Sequence, residues 1–258
     1  MFFILLAVFL NTQCICKKKN SDEWIQLFNG KDLSGWIVKI AGYELHENYG
    51  NTFRVEDGLL KVRYDQYDDF DNRFAHLFYE NVFSHYILRM EYRFTGEQCP
   101  GGPKWAYRNS GIMIHGQSAE TMEKEQKFPV SIEVQLLGGD GTNPRPTANV
   151  CTPGTNVVLN GELILDHCIN SSSGTLHGDQ WVNIEVEVNG GDIIRHKVNG
   201  VVVLEYENPQ LDERDPYFSR LLPDDSDLIL RKGSISIQGE SHPCDFRKIE
   251  ILVLSCNR

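Results

Sequence analysis

Alanine is scarce, six residues in 258, beside 22 glycines and 37 valines and isoleucines. A chain so poor in the strongest helix former and so rich in β-branched residues and turn formers favours strands over helices. Basic residues are also in short supply: 25 Lys and Arg stand against 36 Asp and Glu, for a net charge of −11. A protein that tracks nucleic-acid phosphates needs a basic face, so no nucleic-acid partner is expected. None of the seven cysteines forms a CxxC pair, which leaves structural zinc without its signature. GxGxxG after a strand, GxxxxGK[ST], HExxH and GxSxG are all missing. Dinucleotide folds, P-loops, zincins and serine hydrolases therefore lack their motifs, and no nucleotide cofactor is expected. What remains is 41% hydrophobic, enough for a sizeable core and too much for a disordered chain.

One apolar run stands apart. Met1–Leu10 is followed by Asn11–Cys16 and then Lys17-Lys18-Lys19. Ten residues fall short of the roughly 20 that cross a bilayer but suit the apolar region of a signal peptide. The expected organisation is a signal peptide over 1–16, a polar tether over 17–23 and a single domain over 24–258. Cys14 or Cys16 is a candidate lipidated cysteine. The protein is thus expected to be exported, periplasmic or anchored to a bacterial outer membrane, touching membrane only through that N-terminal lipid. In an oxidising compartment Cys151 and Cys168 can close a 17-residue excursion as a disulfide, and Cys244 with Cys256 is another pairing.

Short alternating runs fill the rest. Tyr86, Leu88, Met90, Tyr92 and Phe94 share one face, with Arg89, Glu91 and Arg93 on the other. Val182, Ile184, Val186 and Val188 alternate with Asn183, Glu185 and Glu187. Turn residues at 189–192 lead into IIRHKV, and Asn199-Gly200 joins that run to VVVLEY, two hairpins in succession. Ser118–Lys127 is the best helical candidate. The economical architecture is an all-β sandwich of two antiparallel sheets.

Three strands carry unexpectedly polar faces. Period two puts Asn109, Gly111, Met113 and His115 together, then Glu133 with Gln135, and Gln238 with Glu240, each run ending in a Gly- or Pro-rich loop. A solvated face is the plain alternative for any one strand; three together point to a site. His76, between Phe74 and Phe78, suits either a core or a sugar platform. Asp65, Asp68, Asp69 and Asp71 form an acidic cluster whose spacing misses the EF-hand loop, so a solvated loop is expected rather than a calcium site.

The segments LFNGKDLSGW (27–36), RNSGIMIHG (108–116), SIEVQLLGG (131–139) and GSISIQGESHPCDFRKIEIL (233–252) resemble the 3-keto-disaccharide hydrolase domain family, in family order and over about Trp24 to Leu254. The chain departs from that family's pattern at Glu240-Ser241-His242-Pro243, where a His-Gly is usual. The resemblance implies a concanavalin- or laminarinase-like jelly roll that cleaves sugars already oxidised at C3. A retaining glycosidase needs two carboxylates about 5–5.5 Å apart, and the strand at 131–136 offers only Glu133. A ketone at C3 acidifies the C2 proton, so one base suffices for elimination, and water then adds back. His115 and Glu133 are the candidate bases. Lys104, Arg108 or a divalent metal is the candidate oxyanion stabiliser. Trp105 and Tyr107 are candidates to stack on the sugar, and Asn109, Gln135, Gln238, Glu240, His242 and His76 to bind it. The expected partner is a small carbohydrate or glycoside. The competing expectations are a carbohydrate-binding module without turnover, a conventional endo-glycosidase, and a structural or adhesion role.

Overall fold

The computed structural model describes residues 23–221 and 227–255. The apolar segment with Cys14 and Cys16, most of the tether, and Cys256 lie outside the described residues. Among the described residues no helix is long and apolar enough to cross a membrane.

The alternation in the sequence becomes strands with one buried face. In chain order the first are β1 (Ile25–Gln26), β2 (Trp36–Ile40), β3 (Phe53–Glu56), β4 (Leu59–Val62), β5 (Ala75–Tyr79) and β6 (His85–Phe94). Next come β7 (Asn109–Gly116), β8 (Ile132–Leu137), β9 (Asn149–Cys151), β10 (Thr155–Leu159), β11 (Glu162–Ile164) and β12 (Cys168–Ile169). The last are β13 (Val182–Asn189), β14 (Ile193–Val198), β15 (Val201–Leu211), β16 (Ser234–Gly239) and β17 (Cys244–Val253).

One sheet runs β11-β10-β15-β14-β13-β6-β17-β4-β3, with β1 also on β17; the other runs β12-β9-β8-β7-β16-β5-β2. Every pairing is antiparallel. The β14–β15 hairpin turns on Asn199 and Gly200, both at positive φ, as a two-residue turn matched to strand twist requires. Hairpins such as β13-β14-β15 alternate with crossovers that join strands distant in sequence, such as β6–β17 and β7–β16, the pattern of a jelly-roll sandwich. Its core lies between the sheets: Tyr86, Leu88, Met90 and Tyr92 of β6 and Val182, Ile184, Val186 and Val188 of β13 meet Ile112, Ile114, Ile132, Val134, Ile235 and Ile237.

The helix expected over Ser118–Lys127 does not form; only Ala119–Thr121 makes a 3-10 turn. Ten residues are marginal for a helix without a packed face, and this segment is held open by tertiary bonds. Lys39 Nζ and the Gly42 N–H both donate to the Lys124 carbonyl, while Gln117 and Gln126 exchange amide bonds.

Candidate active site

The chemistry gathers on the seven-stranded sheet, on the face turned away from the core. Because β8, β7, β16 and β5 are neighbours, their non-core side chains form one polar surface: Glu133 and Gln135, then Asn109 and Gly111, then Ser236 and Gln238, then His76. A solvated face would be exposed. This one is not: Glu133, Asn109, Gln238, Glu240 and His76 are all buried.

Aromatic side chains cover it. Phe128 packs against Phe74 and against the edge of His76, with ring centres 4.8 and 6.1 Å apart. Trp105 stacks on Phe74 at 5.9 Å and 4° while staying 55% exposed. Beneath this cover lies a cavity of about 410 Å³. Asn109, Glu133, Gln135 and Glu240 form its polar wall; Trp105, Phe128 and Pro153 form the apolar one. The Cys151–Cys168 disulfide closes one side and brings His167 to the edge. A small, mostly apolar hollow with a few convergent polar groups is the usual form of a ligand site.

Gly111 makes the polar wall possible. A Cβ there would stand 2.7 Å from Glu133 Oε1 and 3.0 Å from Gln238 Oε1. Its absence lets the carboxyl of β8 and the amide of β16 lean toward each other across β7.

Several of these groups are buried with no hydrogen-bond partner among the described residues. Both amide atoms of Gln238, both ring nitrogens of His76, Asn109 Oδ1 and Glu240 Oε2 lack a partner. An unpaired buried polar atom costs about 1–3 kcal/mol, so six on one face signal a surface that a polar ligand completes. Burial pushes the Glu133 carboxyl up to about 8. Burial, and then the charge of Glu133, pushes Glu240 well above the ordinary carboxylate range. Among the described residues no Lys or Arg charge offsets either shift. His76 is pushed down to about 3 by burial and the nearby Lys39 charge, so it is neutral and offers one donor and one acceptor.

The structure separates the two residues expected to act as bases. In the pairing of β7 with β16, Ser234 faces Gly116 and Ser236 faces Met113, so Ile114 and His115 together oppose Ile235. This bulge, with His115 at φ 49°, breaks the alternation that would have placed His115 beside Met113. Its Nε2–H instead donates to the Gly190 carbonyl in the β13–β14 turn of the opposite sheet, at 2.9 Å. Burial lowers its pKa to about 4, so it is a neutral tie between sheets.

The other expected residues divide. Asn109, Gln135, Glu240 and Trp105 line the cavity, while Gln238 and His76 lie on the same buried face. Gln135 accepts a bond from Asn149 Nδ2. His242 is buried after β16 with its ring 5.0 Å from that of Tyr107 and both nitrogens unpartnered, and it does not line the cavity. Arg108 is committed to Asp179 at 2.7 Å and to the Gly178 carbonyl, and it does not line the cavity. Lys104 is exposed beside Trp105. The second carboxylate missing from the Glu133 strand is supplied by Glu240, which follows β16. Phe128, Pro153 and His167 carry no motif in the sequence; only the adjacent Cys168 hints at the last.

Among the described residues no three His, Cys, Asp or Glu side chains converge closely enough to hold a metal ion. In the acidic loop, Asp65 pairs with Arg54 and Asp71 with Arg73. Cys244 is a buried free thiol.

A buried polar cavity beneath aromatic rings, on the sheet of a jelly roll, is the kind of site that a carbohydrate fills. The chain belongs to the 3-keto-alpha-glucoside-1,2-lyase-like domain family, whose profile matches residues 23–252. No curated protein matches it. Two candidate glycosyl hydrolases from Parabacteroides distasonis ATCC 8503 share its fold. One superposes with a TM-score of 0.54 at 16% identity, over 90% of this chain and 100% of its own. The other gives 0.52 at 17%, over 90% and 94%.

Proposed function

We propose that the protein cleaves glycosides carrying a ketone at C3 of the sugar, with Glu133 as base and Glu240 as acid. Two buried carboxyls on one cavity, both pushed upward by burial, carry this reading. A glycosidase nucleophile must be ionised at working pH, and an unpaired buried carboxylate is costly. A carboxyl with a raised pKa is instead a stronger base when ionised and a ready proton donor when not.

Glu133 releases its proton first and takes the C2 hydrogen; the C2–H electrons move into the C2–C3 bond and onto the ketone oxygen. The enediolate then collapses, C1 and C2 become doubly bonded, and the C1–O bond breaks. Glu240 gives its proton to the departing oxygen. Water adds at C1 and a proton returns to C2, so the net change is hydrolysis. Gln238, Asn109 and neutral His76 supply hydrogen bonds to the sugar hydroxyls and to the developing oxyanion. Family membership supports the keto sugar, and the disulfide supports an oxidising compartment, the destination that residues 1–16 also imply.

Incubation with a 3-keto-glucoside and with its unoxidised parent tests the proposal. Release of the aglycone from the keto sugar alone is expected. Cleavage of the parent would make Glu133 and Glu240 a conventional glycosidase pair, and binding of either without turnover would make the protein a binding module.

A further inference from the structure

A second hollow of about 540 Å³ is lined by Lys104, Trp105, Tyr107, Asp140 and Arg145. Trp105 belongs to both. The two hollows therefore adjoin at this indole. The charge of the second hollow runs against that of the chain, whose net charge is −11.

Asp140 is exposed and faces the same hollow, where its charge acts on Arg145, but its oxygens are also engaged by its own loop. Its oxygens accept from the N–H groups of Thr142 and Asn143 and from Asn143 Nδ2, all at 2.8 Å. Arg145 is half-buried and donates from Nη1 to the Gly138 carbonyl at 2.6 Å. Among the described residues its Nε and Nη2 have no hydrogen-bond partner, and neither it nor Lys104 forms an ion pair. Arg108, next to Tyr107 in the chain, shows the contrast: its guanidinium is taken up by Asp179. A planar guanidinium with free donors, held by the fold and flanked by an ammonium, matches a carboxylate, sulfate or phosphate.

We propose that this hollow receives the departing group of the substrate and selects one bearing an anionic substituent, held by Arg145 and Lys104 beside the ring of Trp105. The inference rests on the keto-glycoside reading above and names its aglycone class. The sugar lies against Glu133 and Glu240, the scissile bond lies under Trp105, and the anion meets Arg145 beyond it.

The test compares 3-keto-glucosides whose leaving groups are 4-carboxyphenol and its 4-carbamoyl isostere, alike in shape and different in charge. A preference of about tenfold or more in kcat/KM for the charged one is expected, corresponding to about 1.4 kcal/mol, and it should shrink at high salt. Arg145→Gln should bring the ratio within about twofold, and Arg145→Lys, which keeps the charge and the fold of the loop, should retain part of it. Competition by benzoate, phenyl sulfate and phenyl phosphate shows which anion the hollow prefers. Equal rates on both substrates, or an undiminished ratio in Arg145→Gln, would overturn the inference. If neither keto-glucoside is cleaved, the fault lies with the proposed reaction. The hollow is then judged by calorimetry with benzoate, phenyl sulfate and phenyl phosphate. Binding of one of them that Arg145→Gln abolishes sustains it, and no binding of any refutes it.

Discussion

Replacing Glu133 by Gln keeps the shape of the side chain and removes the group that takes the proton. Two measurements follow with opposite signs. Loss of a general base lowers kcat by roughly 10²–10⁴-fold. Stability moves the other way. In the unfolded chain this carboxyl ionises near its ordinary value of 4.5, whereas in the fold burial holds the proton until about pH 8. Between those values the unfolded state binds fewer protons than the folded one, so the wild-type protein loses stability as pH rises through that window. The slope is at most about 1.4 kcal/mol per pH unit, and each kcal/mol moves the melting temperature of a domain this size by roughly 2–4 °C. Glu133→Gln abolishes this group's share. The variant should match wild type near pH 4 and melt several degrees higher at pH 8, while turning over keto-glycoside far more slowly. Melting curves from pH 4 to 8, with initial rates, check both. A variant that melts in parallel with wild type at every pH would show that the carboxyl is solvated, and the argument from burial would fail.

The wild-type activity itself should rise with pH as Glu133 ionises and fall again when Glu240 loses its proton, a bell shifted to higher pH than two ordinary carboxyls give; a rate profile flat above pH 5 would contradict it. His115→Asn should cost about 1–3 kcal/mol by losing the tie to Gly190, yet change kcat by only a few-fold, as urea melts and turnover would show. Gly111→Ala should cut activity sharply, because the new methyl would stand 2.7 Å from Glu133 Oε1; wild-type rates in that variant would mean the carboxyl is not fixed there. Replacing both Cys151 and Cys168 by Ser should destabilise the protein by about 3 kcal/mol in the chain-entropy model and raise KM through loss of the cavity wall, which denaturation and steady-state kinetics would register.

The strands at Tyr86–Phe94 and Val182–Val188 were legible because one face packs on a core and the other meets water, which writes hydrophobicity into the sequence at period two. Glu133, Gln135, Gln238 and Glu240 were legible for the related reason that polar residues recur at that period opposite Ile132, Val134 and Ile237. His115 was not, because a bulge inserts one residue without altering composition, and every alternation count beyond it is off by one. The partnership of Glu133 with Glu240 was hidden too: 107 residues separate them, and only the order β8-β7-β16 brings them to one cavity. The lone carboxylate inferred from a single strand was thus an artefact of reading strands one at a time. Ser118–Lys127 misled differently. Its composition is helical, but bonds from Lys39 and Gly42, far away in sequence, fix its backbone.

The central claim is that a carboxyl in this cavity removes the C2 proton of a 3-keto sugar. Running the reaction in deuterium oxide and reading C2 of the released sugar by NMR tests it most directly, with the no-enzyme exchange subtracted. Elimination and rehydration predict solvent deuterium at C2 in step with aglycone release, with both lost together in Glu133→Gln. Release of the aglycone with the original hydrogen still at C2 would contradict the account.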